Sequence, residues 1–134
     1  MVLIVCLDDN NGMMFNNRRQ STDRIVTERI FAYTPEENLI VSDYSIKKYP
    51  NCKRFSNLKT SFCENDVCFA ETADLAQICL EYADKLIVYR WNRVYPADAY
   101  FPVKKLNEEW SLHSCSEFSG HSHDVVREEV YFRA

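Results

Sequence analysis

Glycine is nearly absent from this chain, with two in 134 residues, Gly12 and Gly120. A phosphate cradle needs several glycines, because only backbone without a Cβ can approach the anion closely from several sides. Two isolated glycines exclude such a cradle, and with it the usual grip on a nucleotide's phosphates. Apolar runs are short, so no segment is long enough to cross a bilayer and no membrane partner is expected. The opening VLIVCL lacks the length, basic flank and cleavage site of a secretory signal. Positive charge is in deficit, 16 Lys and Arg against 20 Asp and Glu, which removes any global electrostatic reason to bind nucleic acid. Four prolines and no Gly/Ser-rich tract leave no linker, so residues 1–134 read as one domain.

Cysteine is not scarce, but its placement argues against a disulfide framework. Cys6 and Cys68 fall in apolar strand-like runs and Cys79 on an amphipathic helix, where thiols serve as small core residues. A protein with reduced thiols in the cytoplasm is expected.

Val2 to Leu7 is a continuous β-branched run and predicts a strand buried on both faces. Asp8 to Asn17 reads as a polar loop with Asn11-Gly12 as its turn. Ser21 or Thr22 is expected to cap a helix reaching about Tyr33, with Val26, Ile30 and Tyr33 on one face. Asn38 to Ser42 is strand-like, Asp43 to Tyr49 gives one or two helical turns, and Lys53 to Ser56 a short strand. Asp66 to Glu71 reads as another strand. Thr72 caps the strongest helix, where Leu75, Ile78, Cys79 and Tyr82 keep i, i+3, i+4, i+7 spacing. Lys85 to Trp91 is apolar. Trp110 to Phe118 and Asp124 to Arg133 alternate around Gly120, the pattern of a hairpin. Strands alternating with helices imply an α/β sheet with parallel crossovers, closed by an antiparallel pair.

Four stretches in fixed order carry a family likeness: Ala83-Asp84-Lys85-Leu86, Tyr100-Phe101-Pro102, Trp110, and Val130-Tyr131-Phe132-Arg133. With the opening LIVCLDDNNGM, they resemble the dihydrofolate reductase family over roughly residues 1–31 and 64–134. The resemblance implies a three-layer dihydrofolate reductase-like α/β fold, with a mostly parallel central sheet and a C-terminal antiparallel hairpin. It implies that Asp23 stands where the family's catalytic acid lies; an apolar cleft would raise its proton affinity and suit it to general-acid work. The competing reading is a carboxylate placed in a helix's first turn by the macrodipole.

The departures from the family pattern bear on the cofactor. Where the family has a glycine pair over the pyrophosphate, this chain has Ala70-Glu71-Thr72. Where it has Gly-Arg-Lys-Thr, this chain has Ser42-Asp43-Tyr44-Ser45, and an Asp repels a 2′-phosphate instead of pairing with it. Arg18-Arg19-Gln20-Ser21 replaces the Trp-x-Leu-Pro stretch before the acid. NADPH is therefore not expected as a cofactor. A small anionic or heteroaromatic ligand is expected instead, met by Arg18, Arg19 and Gln20 through charge and hydrogen bonds, and by Phe15 and Tyr89 through their rings. A divergent oxidoreductase with Asp23 as proton donor is the enzyme alternative.

Four further constellations carry chemistry-bearing residues. Cys63, Cys68, His121 and His123 are zinc-ligating types, but their spacing does not suit a tight knuckle and no metal is expected. His121-Ser122-His123-Asp124 looks like the start of the His-x-His-x-Asp-His motif of metallo-β-lactamase-fold nucleases. Short bacterial proteins resembling this one are sometimes labelled ribonuclease Z, yet Val126 stands where the motif's last His belongs. His113 and Cys115 share a strand face, more often a surface pair than a nucleophile with its base. Lys47, Lys48, Lys53, Arg54 and Lys59, interleaved with Tyr44, Tyr49, Phe55 and Phe62, are the one stretch suited to a nucleotide or RNA strand; a solvated loop with inward rings is the commoner use of such a run.

Overall fold

The computed structural model describes residues 1–56, 62–102, 106 and 108–134. Its centre is a seven-stranded sheet in the order β5 (Lys53–Arg54), β4 (Leu39–Val41), β6 (Val67–Phe69), β1 (Val2–Leu7), β7 (Lys85–Arg90), β10 (Val126–Arg133), β9 (Trp110–Phe118). The first five run parallel, and β10 and β9 join antiparallel. A second sheet sets β2 (Gly12–Phe15) between β3 (Arg18–Arg19) and β8 (Ala99–Tyr100).

From β1 the chain travels in one direction across the sheet, through α1 (Arg24–Phe31), to reach β4, after which the short α2 (Asp43–Ile46) leads to β5. From β6 it travels the other way, through α3 (Ala73–Leu80), to reach β7. Right-handed crossovers of opposite direction place their helices on opposite faces, hence three layers. The strand period of two divides the core accordingly. Leu3, Val5, Leu86 and Val88 meet Leu75, Ala76, Cys79 and Leu80 of α3. Ile4, Ile87 and Tyr89 meet Val26 and Ile30 of α1 on the other face.

Several elements depart from the sequence expectation. The first helix is capped by Asp23, not by Ser21 or Thr22, and ends at Phe31. Asp23 has extended backbone, φ −147° and ψ 132°, and its carboxylate takes the N–H of Ile25 and Val26. On α3 the buried stripe is Leu75, Ala76, Cys79 and Leu80, while Ile78 and Tyr82 are exposed. The loop expected at 8–17 contains β2, whose partner β8 lies some eighty residues away and left no local trace.

The shortage of glycine has a visible consequence. Asn11, Asn16, Asn17 and Asn92 take the left-handed conformation, φ 52–64°, which asparagine tolerates better than other side chains. Both glycines are freed for close approach. A Cβ on Gly12 would stand 2.6 Å from Gln20 Nε2 and 2.7 Å from Asp8 Oδ2.

Residues 43–56 and 62 bear on the basic segment; Lys59 lies outside the described residues. Tyr44, Tyr49, Phe55 and Phe62 pack partly buried against the two cores, and Arg54 pairs with Asp43 at 3.0 Å. The rings are thus turned inward rather than displayed for stacking.

Candidate functional site

The carboxyl ends of adjacent parallel strands are where open α/β sheets place ligands. Here Cys6 near the end of β1, Glu71 after β6 and Trp91 after β7 line one small cavity with Met13, Arg19, Gln20 and Ser21. Its volume is about 10 Å³, room for one water.

A carboxylate and a guanidinium fill most of what would otherwise be a cleft. Arg19 Nε and Nη2 donate to Glu71 Oε2 and Oε1 at 2.7 and 2.9 Å, the two-pronged geometry that guanidinium and carboxylate favour. Ser45 Oγ donates to the same Glu71 Oε1 at 2.7 Å. The Arg19 guanidinium lies 4.7 Å over the Tyr44 ring, whose hydroxyl accepts from Arg19 N–H at 2.9 Å. Glu71 first of all, through its hydrogen bonds, raises the Arg19 proton affinity further. Two N–H groups of Arg19 are therefore held by an internal anion.

Asp8 orders the neighbouring loops. Buried, it accepts from the N–H of Asn10 and Gly12, from Gln20 Nε2 at 2.9 Å and from Tyr95 N–H at 3.2 Å. Desolvation works to raise its proton affinity, and the hydrogen bonds from Gly12, Gln20, Tyr95 and Asn10 outweigh it. Gln20 Oε1 stays buried without a protein partner.

The densest polar cluster surrounds Asp23, whose side chain is fully buried. Besides capping α1, its carboxylate accepts from His121 N–H at 3.0 Å, Ser122 N–H at 2.9 Å and Ser122 Oγ at 3.2 Å. His123 Nδ1 lies 3.0 Å from Asp23 Oδ2. On the other side of the ring, His123 Nε2 lies 3.0 Å from Ser21 Oγ and 3.2 Å from Tyr95 Oη. The imidazole stacks on Trp91, centroids 4.7 Å apart.

These contacts correct the expected chemistry of Asp23. Desolvation alone would raise its proton affinity, but the hydrogen bonds from His121, His123, Ser122 and Val26 prevail and hold the carboxyl well below the usual carboxylate range. Such a group is ionised at neutral pH and has no proton to donate. The loop that supplies these donors can close only because residue 120 is glycine: a Cβ there would stand 2.6 Å from Asp23 Oδ2 and 2.9 Å from the His123 carbonyl oxygen. Gly120→Ala is expected to destabilise the fold by about 1–3 kcal/mol, the usual range for a forced overlap, read as a lower urea midpoint.

Of the sequence-predicted ligand residues, the structure brings Arg19 and Gln20 together beside Ser21. Arg18 and Phe15 sit opposite each other at the exposed end of the β2–β3 pair. Tyr89 is fully buried among α1 residues, its ring edge-on to Phe118 at 6.1 Å. It borders a different cavity, of about 300 Å³, with Arg29, Ala32, Tyr33 and Glu128, and burial above all raises its phenol. A larger groove of about 410 Å³ runs beside α1, lined by Arg24, Thr27, Glu28, Phe31, Lys48 and Tyr49 among others. Among the described residues no three His, Cys, Asp or Glu side chains gather as a metal site. His113 and Cys115 are exposed on β9.

Sequence reasoning missed the meeting of Ser21, His123 and Tyr95 with Asp23. The available signal was Ser21-Thr22-Asp23 together with a histidine-bearing turn, but nothing local ties residues a hundred positions apart.

No family model and no curated protein sequence matches the chain. Among solved structures, the chain is similar to a dihydrofolate reductase from Enterococcus faecalis complexed with NADP(H) and RAB-propyl. The TM-score is 0.72 and the identity 10%, covering 99% of this chain and 96% of that one. The chain has a dihydrofolate reductase-like fold.

Proposed function

We propose that this dihydrofolate reductase-like domain does not work as an NADPH-dependent reductase and instead binds a small anionic, aromatic molecule in the groove beside α1, in the cytoplasm. The observation that carries the first half is Glu71. The family resemblance puts a dinucleotide's pyrophosphate over the turn after β6, and there this chain has a carboxylate already bonded to Arg19 and Ser45. Bringing phosphate to that turn means setting anion against anion and breaking a largely buried ion pair.

The second half rests on the groove itself. Its volume of about 410 Å³ is that of a small-molecule site. Phe31 and Tyr49 form an edge-to-face pair at 5.6 Å along it, and burial followed by Glu71 pushes the Tyr49 phenol up to about 12, so the ring stays neutral. Arg24 and Lys48 both line the groove, with Lys48 Nζ 5.9 Å from the Tyr49 ring centroid, so Lys48 sets a positive charge beside the ring for a ligand's anionic group. Six unpaired cysteines accord with a reducing compartment.

Titration with NADPH, followed by nicotinamide fluorescence, is expected to give no saturable binding up to millimolar cofactor. Saturation with a fluorescence change would overturn the first half. For the second, ligand-observed NMR with a panel of aromatic carboxylates is expected to show binding that Lys48→Glu weakens about tenfold, the size of one exposed charge contact. Equal binding by the variant, or none to wild type, would overturn it.

A further inference from the structure

We propose that Ser21, His123 and Asp23 form a proton relay that makes Ser21 a nucleophile toward acetyl-sized carboxylic esters, an activity separate from ligand binding in the α1 groove. The geometry carries it. Ser21 Oγ lies 3.0 Å from His123 Nε2, and His123 Nδ1 lies 3.0 Å from Asp23 Oδ2, the order of contacts by which a serine is activated. A carboxylate can only accept, so Asp23 requires the proton of the neutral imidazole to sit on Nδ1. Nε2 then presents its lone pair to the Ser21 hydroxyl. The ring cannot swing away, being 5% exposed and stacked on Trp91. Asp23 is itself fixed by backbone N–H groups from two separate segments, residues 25–26 and 121–122. Ser21 is half-buried and so open to an approaching reagent.

The adjoining cavity supplies the remaining parts. With about 10 Å³ between Met13 and Trp91, the space of one water, it takes a methyl group only in that water's place and no longer acyl chain, which restricts the ester to acetyl. Arg19 lines it, and Glu71 takes two of its five N–H donors; the others are available to a developing oxyanion.

In the first half-reaction the Ser21 Oγ–C bond forms at the ester carbonyl while the Ser21 proton passes to His123 Nε2. The ester C–O bond then breaks, and the leaving alkoxide takes that proton to depart as the alcohol. Water then attacks the acetyl-serine carbonyl and gives one proton to His123 Nε2; the Ser21 Oγ–C bond breaks, Ser21 Oγ takes that proton back from His123, and acetic acid leaves and ionises to acetate. Tyr95 Oη, 3.2 Å from the same Nε2, shares that nitrogen's one lone pair with the Ser21 hydroxyl until the Ser21 proton is transferred.

The test uses p-nitrophenyl acetate on the full chain. Rapid acid quenching and intact mass are expected to show one added acetyl group, mapped by fragmentation to Ser21. Ser21→Ala, with its fold verified by circular dichroism, is expected to lower the nitrophenol release rate about 100-fold or more. The butyryl ester is expected to react at least tenfold more slowly than the acetyl ester. Long-range proton–nitrogen NMR at mildly alkaline pH is expected to find His123 protonated on Nδ1 and bare on Nε2. Acetyl groups found only on lysines or the N-terminus, no acetylation, an unchanged rate in Ser21→Ala, or the opposite tautomer would each overturn the relay. Equal rates for the two esters would overturn the acetyl limit set by the cavity.

Discussion

Replacing Asp23 by alanine is expected to lower the unfolding free energy by about 3–5 kcal/mol, among the larger losses a single substitution produces. The magnitude follows from what the carboxylate satisfies. Loss of an N-cap alone costs about 1 kcal/mol. Here the same side chain also takes the N–H groups of His121 and Ser122, the Ser122 hydroxyl and His123 Nδ1. Each donor left buried without an acceptor adds about 1–3 kcal/mol, partly relieved where water enters. Asp23→Asn keeps an acceptor oxygen but loses the charge, and is expected to fall between the two. Urea denaturation of the three proteins at neutral pH measures the series. A loss under about 1 kcal/mol in the alanine variant would mean that the 119–124 turn is held by other contacts.

The same carboxylate predicts an acid sensitivity whose sign is fixed. Its folded proton affinity lies below the unfolded value, so its contribution is complete above the unfolded pKa of about 3.9 and is lost as pH falls toward the folded one. Asp8 shifts in the same direction and adds to the effect. Wild-type stability is therefore expected to fall steeply below about pH 4, and Asp23→Asn to fall less steeply.

The sheet was readable in the sequence where its signals are local. The apolar run Val2–Leu7, the alternation from Trp110 to Phe118 and the Thr72 cap all correspond to elements of those residues. What escaped was decided by tertiary contact. Ile78 and Tyr82 satisfy helical spacing, yet α3 turns Ala76 and Leu80 to the sheet, because small and aliphatic side chains fit its close approach to β1. β2, β3 and β8 are two to four residues long and pair across the chain, too short for any periodicity to register. The left-handed asparagines were legible only at Asn11, where a glycine follows.

The site was less legible than the frame, for an electrostatic reason. Sequence marks Asp23 and Arg19 as ionisable residues of a cleft but cannot say which partners they will find. Asp23 was expected to gain protons from apolar surroundings; it meets a ring of N–H donors instead, from a turn a hundred residues on. Arg19 was expected to await an anionic ligand and found Glu71. Glu71 could be read as an obstacle to phosphate, because a carboxylate replaces glycine there, but its use as an internal counter-ion needed the fold.

That counter-ion supports the other large prediction. Glu71→Ala is expected to destabilise the protein by about 3–5 kcal/mol, since it strands the Arg19 charge beside Tyr44 and leaves the Ser45 hydroxyl unpaired. Arg19→Met is expected to cost somewhat less, because Glu71 retains the Ser45 hydroxyl and Arg19 is the more exposed partner, at 21% against 7%. The pair together is the informative variant. Arg19→Met with Glu71→Leu removes both charges and keeps the volume, and is expected to recover most of either loss, ending within about 1–2 kcal/mol of wild type. The coupling from this double-mutant cycle, read by urea unfolding at low and high salt, should persist at high salt because the pair is shielded from solvent. If the pair is what keeps dinucleotide away, Glu71→Gly should admit weak NADPH binding that Glu71→Gln does not, since only the former removes both the charge and the side chain from the turn after β6. Additive losses in the cycle would mean that Arg19 and Glu71 act separately, and that the cleft is closed by packing of Met13, Tyr44 and Trp91 rather than by their charges.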